Sequence, residues 1–228
     1  MTPAATPVPG GPKPATPAHG SEDDGPLTTV RIRPDVAALP AYVPGARPDA
    51  ASPVEIAKLS SNELPYPPQD AVVEAITRAA TGVNRYPEMT GETLTQALAR
   101  RWGVEAEQVV VGNGSVALIQ HLLDAICQPG DEVVIPWRSF EAYPICVAVA
   151  GARAVRVPLT PDARHDVPAM LAAITPRTRA IAVVHLYGRP VDMDPIMAIA
   201  ERHGLPVLED VAQAHGATYH GRRCGSLG

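Results

Sequence analysis

The chain has 228 residues, 46% hydrophobic and 19% charged, with a formal net charge of −5; this is an ordinary globular composition, long enough for one large domain. The acidic balance and scattered arginines leave no electrostatic footprint for nucleic acid or an anionic membrane, and no apolar run approaches the roughly 20 residues of a membrane span. Cys127, Cys146 and Cys224 are odd in number and far apart, without metal or redox spacing, and the N-terminus lacks a basic and an apolar leader region. Reduced thiols, no signal peptide and a cytoplasmic protein are therefore expected.

Residues 1–27 carry seven prolines together with a Glu22-Asp23-Asp24 cluster. Such a mixture buries too little apolar surface to offset its ordering entropy, which predicts a disordered Pro-rich tail ahead of a folded domain over 28–228. From there strand-like and helix-like segments alternate. A short strand is predicted at 56–59, then a helix over 69–80 with Val72, Val73, Ile76 and Ala80 on one face and Asp70 as N-cap. A second helix follows at 92–101, a strand at 108–111, and an apolar helix at 115–127 that Pro129-Gly130 ends. Next come a strand at 132–135, a helix at 141–150 containing Pro144, a strand at 154–157, a helix capped by Asp166 and running to 174, and a strand at 179–184. Asp194-Pro195 stands in the favoured N-cap/N1 order at the start of a helix that Gly204 closes, and the apolar run 205–208 reads as a buried parallel strand. Strands and helices alternating at this spacing predict an α/β fold: right-handed βαβ units building a mostly parallel sheet with helices on both faces.

Three strand ends carry chemistry. Val109-Val110-Val111-Gly112-Asn113-Gly114-Ser115 runs from a β-branched segment through a Gly-rich turn into a helix, where free N–H groups favour an anion. It is neither a Walker A loop nor a full dinucleotide fingerprint, because Ala117 stands where the third glycine would fall; a plain tight turn with Ser115 as N-cap fits it too. Phe140, the one Phe of the chain, follows the next strand and is placed either to stack on a flat heteroaromatic ring or to fill core. His185 ends a third strand, where it could touch a ligand, donate to a backbone carbonyl or fill space. Val207-Leu208-Glu209-Asp210-Val211-Ala212-Gln213 then puts Asp210 at a strand's carboxyl end, the ligand-binding edge of an open α/β sheet. On their own, Asp210 could instead be an N-cap and Gln213 a solvated neighbour. Convergence favours a cofactor: an anion site, an aromatic face and a carboxylate match the three handles of pyridoxal phosphate, whose pyridine nitrogen a carboxylate keeps protonated. His203, His215 and His220 show no ligand spacing, so no metal is expected.

The chain resembles known enzymes in two pieces. Residues 53–183 are similar to the histidinol-phosphate and aromatic aminotransferases of pyridoxal phosphate fold type I. The carrying segments are Lys58-Leu59-Ser60-Ser61-Asn62-Glu63-Leu64-Pro65-Tyr66, Arg85-Tyr86-Pro87, Gly112-Asn113-Gly114-Ser115 and Pro136-Trp137-Arg138-Ser139-Phe140-Glu141-Ala142-Tyr143. Residues 184–228 resemble the DegT/DnrJ/EryC1/StrS sugar aminotransferases through Val184-His185-Leu186-Tyr187-Gly188, Asp192-Met193-Asp194-Pro195, Glu209-Asp210-Val211-Ala212-Gln213-Ala214-His215-Gly216-Ala217 and Gly221-Arg222-Arg223-Cys224-Gly225-Ser226-Leu227-Gly228.

The resemblance implies roles. Gly114, Ser115 and Val116 would hold the cofactor phosphate, Phe140 would stack on the ring, Asp210 would pair with the pyridine nitrogen and Gln213 would sit near the 3-hydroxyl. Tyr66 would reach the phosphate in the other subunit of a homodimer, and His185 would lie near the cofactor. An amine donor and a keto acid or keto sugar acceptor are the implied substrates. The Schiff-base lysine expected after Gly-Ser-Leu-Gly is missing, since Lys13 and Lys58 are the only lysines, and so is the small domain. The expectation is thus a fold-type-I aminotransferase cut short, inactive alone and prone to aggregate, with a non-catalytic fragment or dimerisation module as the alternative. A dinucleotide-binding oxidoreductase fits the βα alternation but not the glycine pattern.

Overall fold

The computed structural model describes residues 31–39, 63–64 and 66–228; the expected tail and the strand at 56–59 lie outside them. The chain divides into a unit Met1–Ile32 and a unit Arg33–Gly228, and every element below belongs to the second. In chain order these are α1 (Pro34–Ala37), α2 (Asp70–Ala80), α3 (Glu92–Trp102), α4 (Gly114–Ile126), β1 (Glu132–Trp137), α5 (Tyr143–Val149), β2 (Arg153–Pro158), α6 (Val167–Ala172), β3 (Thr178–Val184), α7 (Met193–His203), β4 (Val207–Asp210), β5 (Thr218–Tyr219) and β6 (Arg222–Arg223).

β1 to β4 form one sheet in the order β2-β1-β3-β4, parallel throughout, while β5 and β6 pair as a small antiparallel hairpin. Side chains alternate across the sheet, so the two faces bury different sets. One face carries Val133, Ile135, Ala180, Ala182 and Val184 against Ile119 and Leu123 of α4 and Tyr143 and Val147 of α5. The other carries Val134, Val157, Ile181 and Val183 against Met170 of α6 and Met193, Ile196 and Ile199 of α7. Val134, Ile135 and Val183 are fully shielded, each such burial stabilising the fold by about 1.5–3 kcal/mol. This is the α/β sheet with helices on both faces that the pattern predicts.

Several boundaries differ for physical reasons. The strand predicted at 108–111 is instead a 3-10 turn at Ala106–Gln108 followed by an extended Val109 and a stretch through Val111 that pairs with no strand among the described residues. Its β-branched composition sets the backbone conformation, but a strand also needs a neighbour, and Val110 stays 69% exposed. Gln69, not Asp70, is the N-cap of α2, which leaves Asp70 in the first turn where its charge still opposes the helix dipole. Asn113, not Ser115, occupies the N-cap position of α4. The α7 helix starts earlier than Asp194-Pro195, with Asp192 as N-cap; Pro195 is tolerated because first-turn N–H groups have no helical partner anyway.

The last strand is β4 at Val207–Asp210 rather than 205–208. Gly204 takes a left-handed C-cap (φ 63°) and the Leu205 N–H returns to the Ala200 carbonyl at 2.9 Å, so Leu205 finishes the helix instead of starting the strand. Asp166 caps α6 as predicted, accepting the Ala169 N–H at 3.0 Å. At the amino ends of the strands, fully buried Glu132 accepts hydrogen bonds from Arg153 (2.5 Å), Arg177 (2.9 and 3.0 Å) and Thr175 (2.7 Å). That network leaves the carboxyl ends of the strands for the site.

Candidate active site

Asp210 is the last residue of β4, and its side chain leaves the sheet on the α4/α5 face. Its Oδ2 accepts the Tyr143 hydroxyl at 3.1 Å and its Oδ1 accepts the Ala212 N–H at 3.0 Å. Tyr143 is 1% exposed; burial and the adjacent carboxylate push its ionisation far above the ordinary tyrosine range, so it stays a donor. Two donors therefore fix the carboxylate's orientation while each oxygen keeps a lone pair free. Phe140 packs at the edge of the same core and meets Tyr143 edge-on, ring centroids 6.1 Å apart. Phe140, Tyr143 and Asp210 thus form one contiguous run from the end of β1 to the end of β4.

The start of α4 is built to accept an anion. No side chain caps it, and the N–H groups of Ser115 and Val116 have no hydrogen-bond partner among the described residues. Gly114 adopts φ 79° with open space where a Cβ would project, so the backbone is free to approach a ligand closely. An uncapped helix start, an aromatic edge and an oriented carboxylate fit the phosphate, ring and pyridine nitrogen of pyridoxal phosphate.

His185 is placed differently from the other candidates. It is fully buried with both ring nitrogens engaged: Nδ1 accepts the Val191 N–H at 2.9 Å, and Nε2 lies 3.1 Å from Glu209 Oε2. Accepting at Nδ1 makes Nε2 the protonated nitrogen, which donates to Glu209. Gln213 Oε1 accepts the Tyr187 N–H at 3.2 Å and the Gln213 carbonyl accepts the Gly188 N–H at 2.9 Å. These two bonds hold Tyr187 in a left-handed conformation (φ 55°), displayed to solvent. Tyr66 is 78% exposed and bonds to none of the other candidates. No group of His, Cys, Asp and Glu among the described residues could hold a metal ion.

Sequence reasoning assigned no role to Tyr143 or Glu209. Strand alternation was the available signal for Glu209: beside Asp210 it must face the opposite side. Nothing in the sequence marked Tyr143 as the partner of a residue 67 positions away. Beside these groups lies a cleft of about 540 Å³ at the carboxyl ends of the sheet, lined among others by Arg138, Ser139, Leu159, Leu186 and Arg189. It is adjacent to the cofactor handles rather than formed by them.

The DegT/DnrJ/EryC1/StrS aminotransferase family model matches residues 69–228, on both sides of residue 184. The chain is 53% identical over 152 residues to the aromatic amino acid aminotransferase of Corynebacterium glutamicum, covering 67% of this chain and 43% of that protein. Among solved structures it is similar to DesV of S. venezuelae in complex with a ketimine intermediate, at 39% identity and a TM-score of 0.55, with 68% of this chain and 42% of that one covered. It is also similar to a Thermus thermophilus aspartate aminotransferase mutant, at 27% identity and a TM-score of 0.60, with 66% and 44% covered. The chain thus spans less than half the length of these relatives. The fold is the large domain of the fold-type-I aminotransferases, and the chain belongs to the DegT/DnrJ/EryC1/StrS aminotransferase family.

Proposed function

We propose that this chain carries the cofactor-binding half of a pyridoxal phosphate-dependent aminotransferase that moves an amino group from an amine donor to a keto acid or keto sugar. The observation that carries the reading is Asp210, held by Tyr143 and Ala212 at the carboxyl end of β4, on the same face as an uncapped helix start and the half-buried Phe140 ring. When bound, the cofactor supplies an electron sink for the carbon that gives up its proton. The chain's own contribution is binding and orientation. The N–H groups of Ser115 and Val116, beside Gly114, receive the phosphate, and Phe140 covers one ring face. Asp210 holds a proton on the pyridine nitrogen by charge attraction, while Gln213 lines the ring on the side of the Tyr187 turn. His185 acts from behind the site through Glu209, without a free ring nitrogen of its own.

A keto acid acceptor is supported by the similarity to aromatic amino acid aminotransferases, a keto sugar acceptor by the family match. Homodimerisation, with Tyr66 reaching the partner's phosphate, is supported by the apolar exposure of α2, where Val72, Val73 and Ile76 are 48–61% exposed. A cytoplasmic setting is supported by three free cysteines. Lys13 and Lys58 are the only lysines, and neither belongs to a motif that would make it the imine-forming residue, so residues 1–228 by themselves bind cofactor without turning over.

The test is an absorbance titration of the purified chain with pyridoxal phosphate, followed by borohydride reduction and dialysis. Cofactor retained before reduction, but lost on dialysis because no covalent adduct forms, supports the reading. Transaminase turnover, a reduced adduct on either lysine, or no retention at all overturns it.

A further inference from the structure

Glu209, like Glu132, accepts four hydrogen bonds, and the proposed cofactor chemistry does not use it. Its side chain is 4% exposed and leaves β4 on the face opposite Asp210, among the α6/α7 core. Oε1 accepts the N–H groups of Leu227 (2.7 Å) and Gly228 (2.6 Å), and Oε2 accepts the Gly225 N–H (2.8 Å) and the His185 Nε2 proton (3.1 Å). Burial opposes the charge, but His185 and the three backbone donors outweigh it and bring the carboxyl down to about 2. His185 is itself locked from its other side by the Val191 N–H. A single carboxylate therefore ties together the end of β3, the loop before α7, the end of β4 and residues 225–228. Cβ alternation places its neighbour Asp210 on the other face of the same strand, one residue from that knot.

We propose that Glu209 is a positioning residue which, with His185, clamps residues 225–228 against the end of β4 and thereby holds Asp210 in the orientation its partner requires. The inference rests on the proposed cofactor role of Asp210. It gives the ligand site a mechanical support on the other face of the same strand. An oriented first contact needs such backing, because a carboxylate free to rotate spreads its charge over positions the ligand does not occupy.

The test uses the full 228-residue chain, reading amide hydrogen exchange and pyridoxal phosphate affinity. In Glu209→Gln the new amide NH₂ faces donors, so the Gly225, Leu227 and Gly228 amides are expected to exchange about tenfold faster or more, as for loss of buried hydrogen bonds. The Ala212 amide, bonded to Asp210, should follow, and cofactor affinity should fall by about fivefold. His185→Gln can accept from Val191 and donate to Glu209 as the imidazole does, so it should keep near-wild-type protection and affinity. His185→Leu, similar in volume, should lose both.

Opening of 225–228 with Ala212 protection unchanged overturns the proposal, as does equal behaviour of the Gln and Leu variants at position 185. If Glu209→Gln does not fold, the position-185 pair decides. If the wild-type chain retains no cofactor, the proposed function fails, and Ala212 protection alone decides the positioning role.

Discussion

Asp210 shows how much one side chain's neighbours matter. With Tyr143 on Oδ2 and Ala212 on Oδ1, its charge has a fixed direction. Asp210→Asn keeps the shape and removes the charge, and losing one charge-assisted contact is worth about 1.5–3 kcal/mol. Pyridoxal phosphate should therefore bind roughly 10–100 times more weakly, as read by absorbance titration. Tyr143→Phe removes a hydroxyl whose ring stays packed, so it should cost about 1 kcal/mol of stability in urea unfolding and a smaller loss of affinity. An affinity unchanged in Asp210→Asn would remove the carboxylate from the cofactor's contacts. At this scale the sequence was informative about residue type and position in the chain: Phe140 and Asp210 stand at strand ends, and the glycine turn leads into α4 from a segment that pairs with no strand among the described residues. It was silent on what touches what. Tyr143 reaches Asp210 across two elements, and His185, legible only as a residue at a strand end, has both nitrogens occupied, a property of packing and not of spacing.

Periodicity located the helices well because each apolar stripe has to bury itself, and it failed where the local signal and tertiary partner part ways. The two amphipathic helices α2 and α7 make the contrast. Ile196 of α7 is 1% exposed in the core beneath β3, whereas Ile76 of α2 is 61% exposed and α2 buries none of its residues. From the sequence both stripes look alike. In the chain on its own, Ile196→Ala should cost about 2–5 kcal/mol through lost burial and the cavity left behind. Ile76→Ala should stay within about 0.5 kcal/mol, as at a surface position. Urea midpoints of the two variants check both figures, and a cost above about 1 kcal/mol for Ile76→Ala would mean that α2 docks in solution, on this chain or on another copy. The same logic explains 109–111. Its valines select an extended backbone, but a strand is a relation between two segments, and the second one is not among the described residues.

On the scale of the whole molecule, the sheet is braced at both ends by carboxylates that exist as charges only because hydrogen bonds hold them so. Glu132 fastens the amino ends of β1 and β2 and the loop before β3; hydrogen bonds from Arg153 and Thr175, then Arg177, outweigh burial and lower its carboxyl from 4.5 to about 2. Glu209 does the same at the carboxyl end of β4. In the unfolded chain both groups take up protons near their ordinary value, so the folded state binds fewer protons between the two values. Each carboxylate's contribution is then complete above pH 4.5 and is lost as pH falls towards about 2. His165 acts in the same direction at higher pH. Burial, then the neighbouring His185, lowers it from 6.5 to about 4, so the folded state resists a proton the unfolded chain accepts. Stability should therefore be flat from about pH 6.5 up to the onset of thiol ionisation, decline gently towards pH 4.5 as His165 becomes the cost, and fall steeply below that as the two carboxylates are neutralised. Urea unfolding at stepped pH reads this directly. Glu132→Gln should be less stable at pH 7 and show a shallower acid slope, because one of the two steep contributors is gone. An acid slope unaltered by that substitution would place the acid sensitivity outside the Glu132 network.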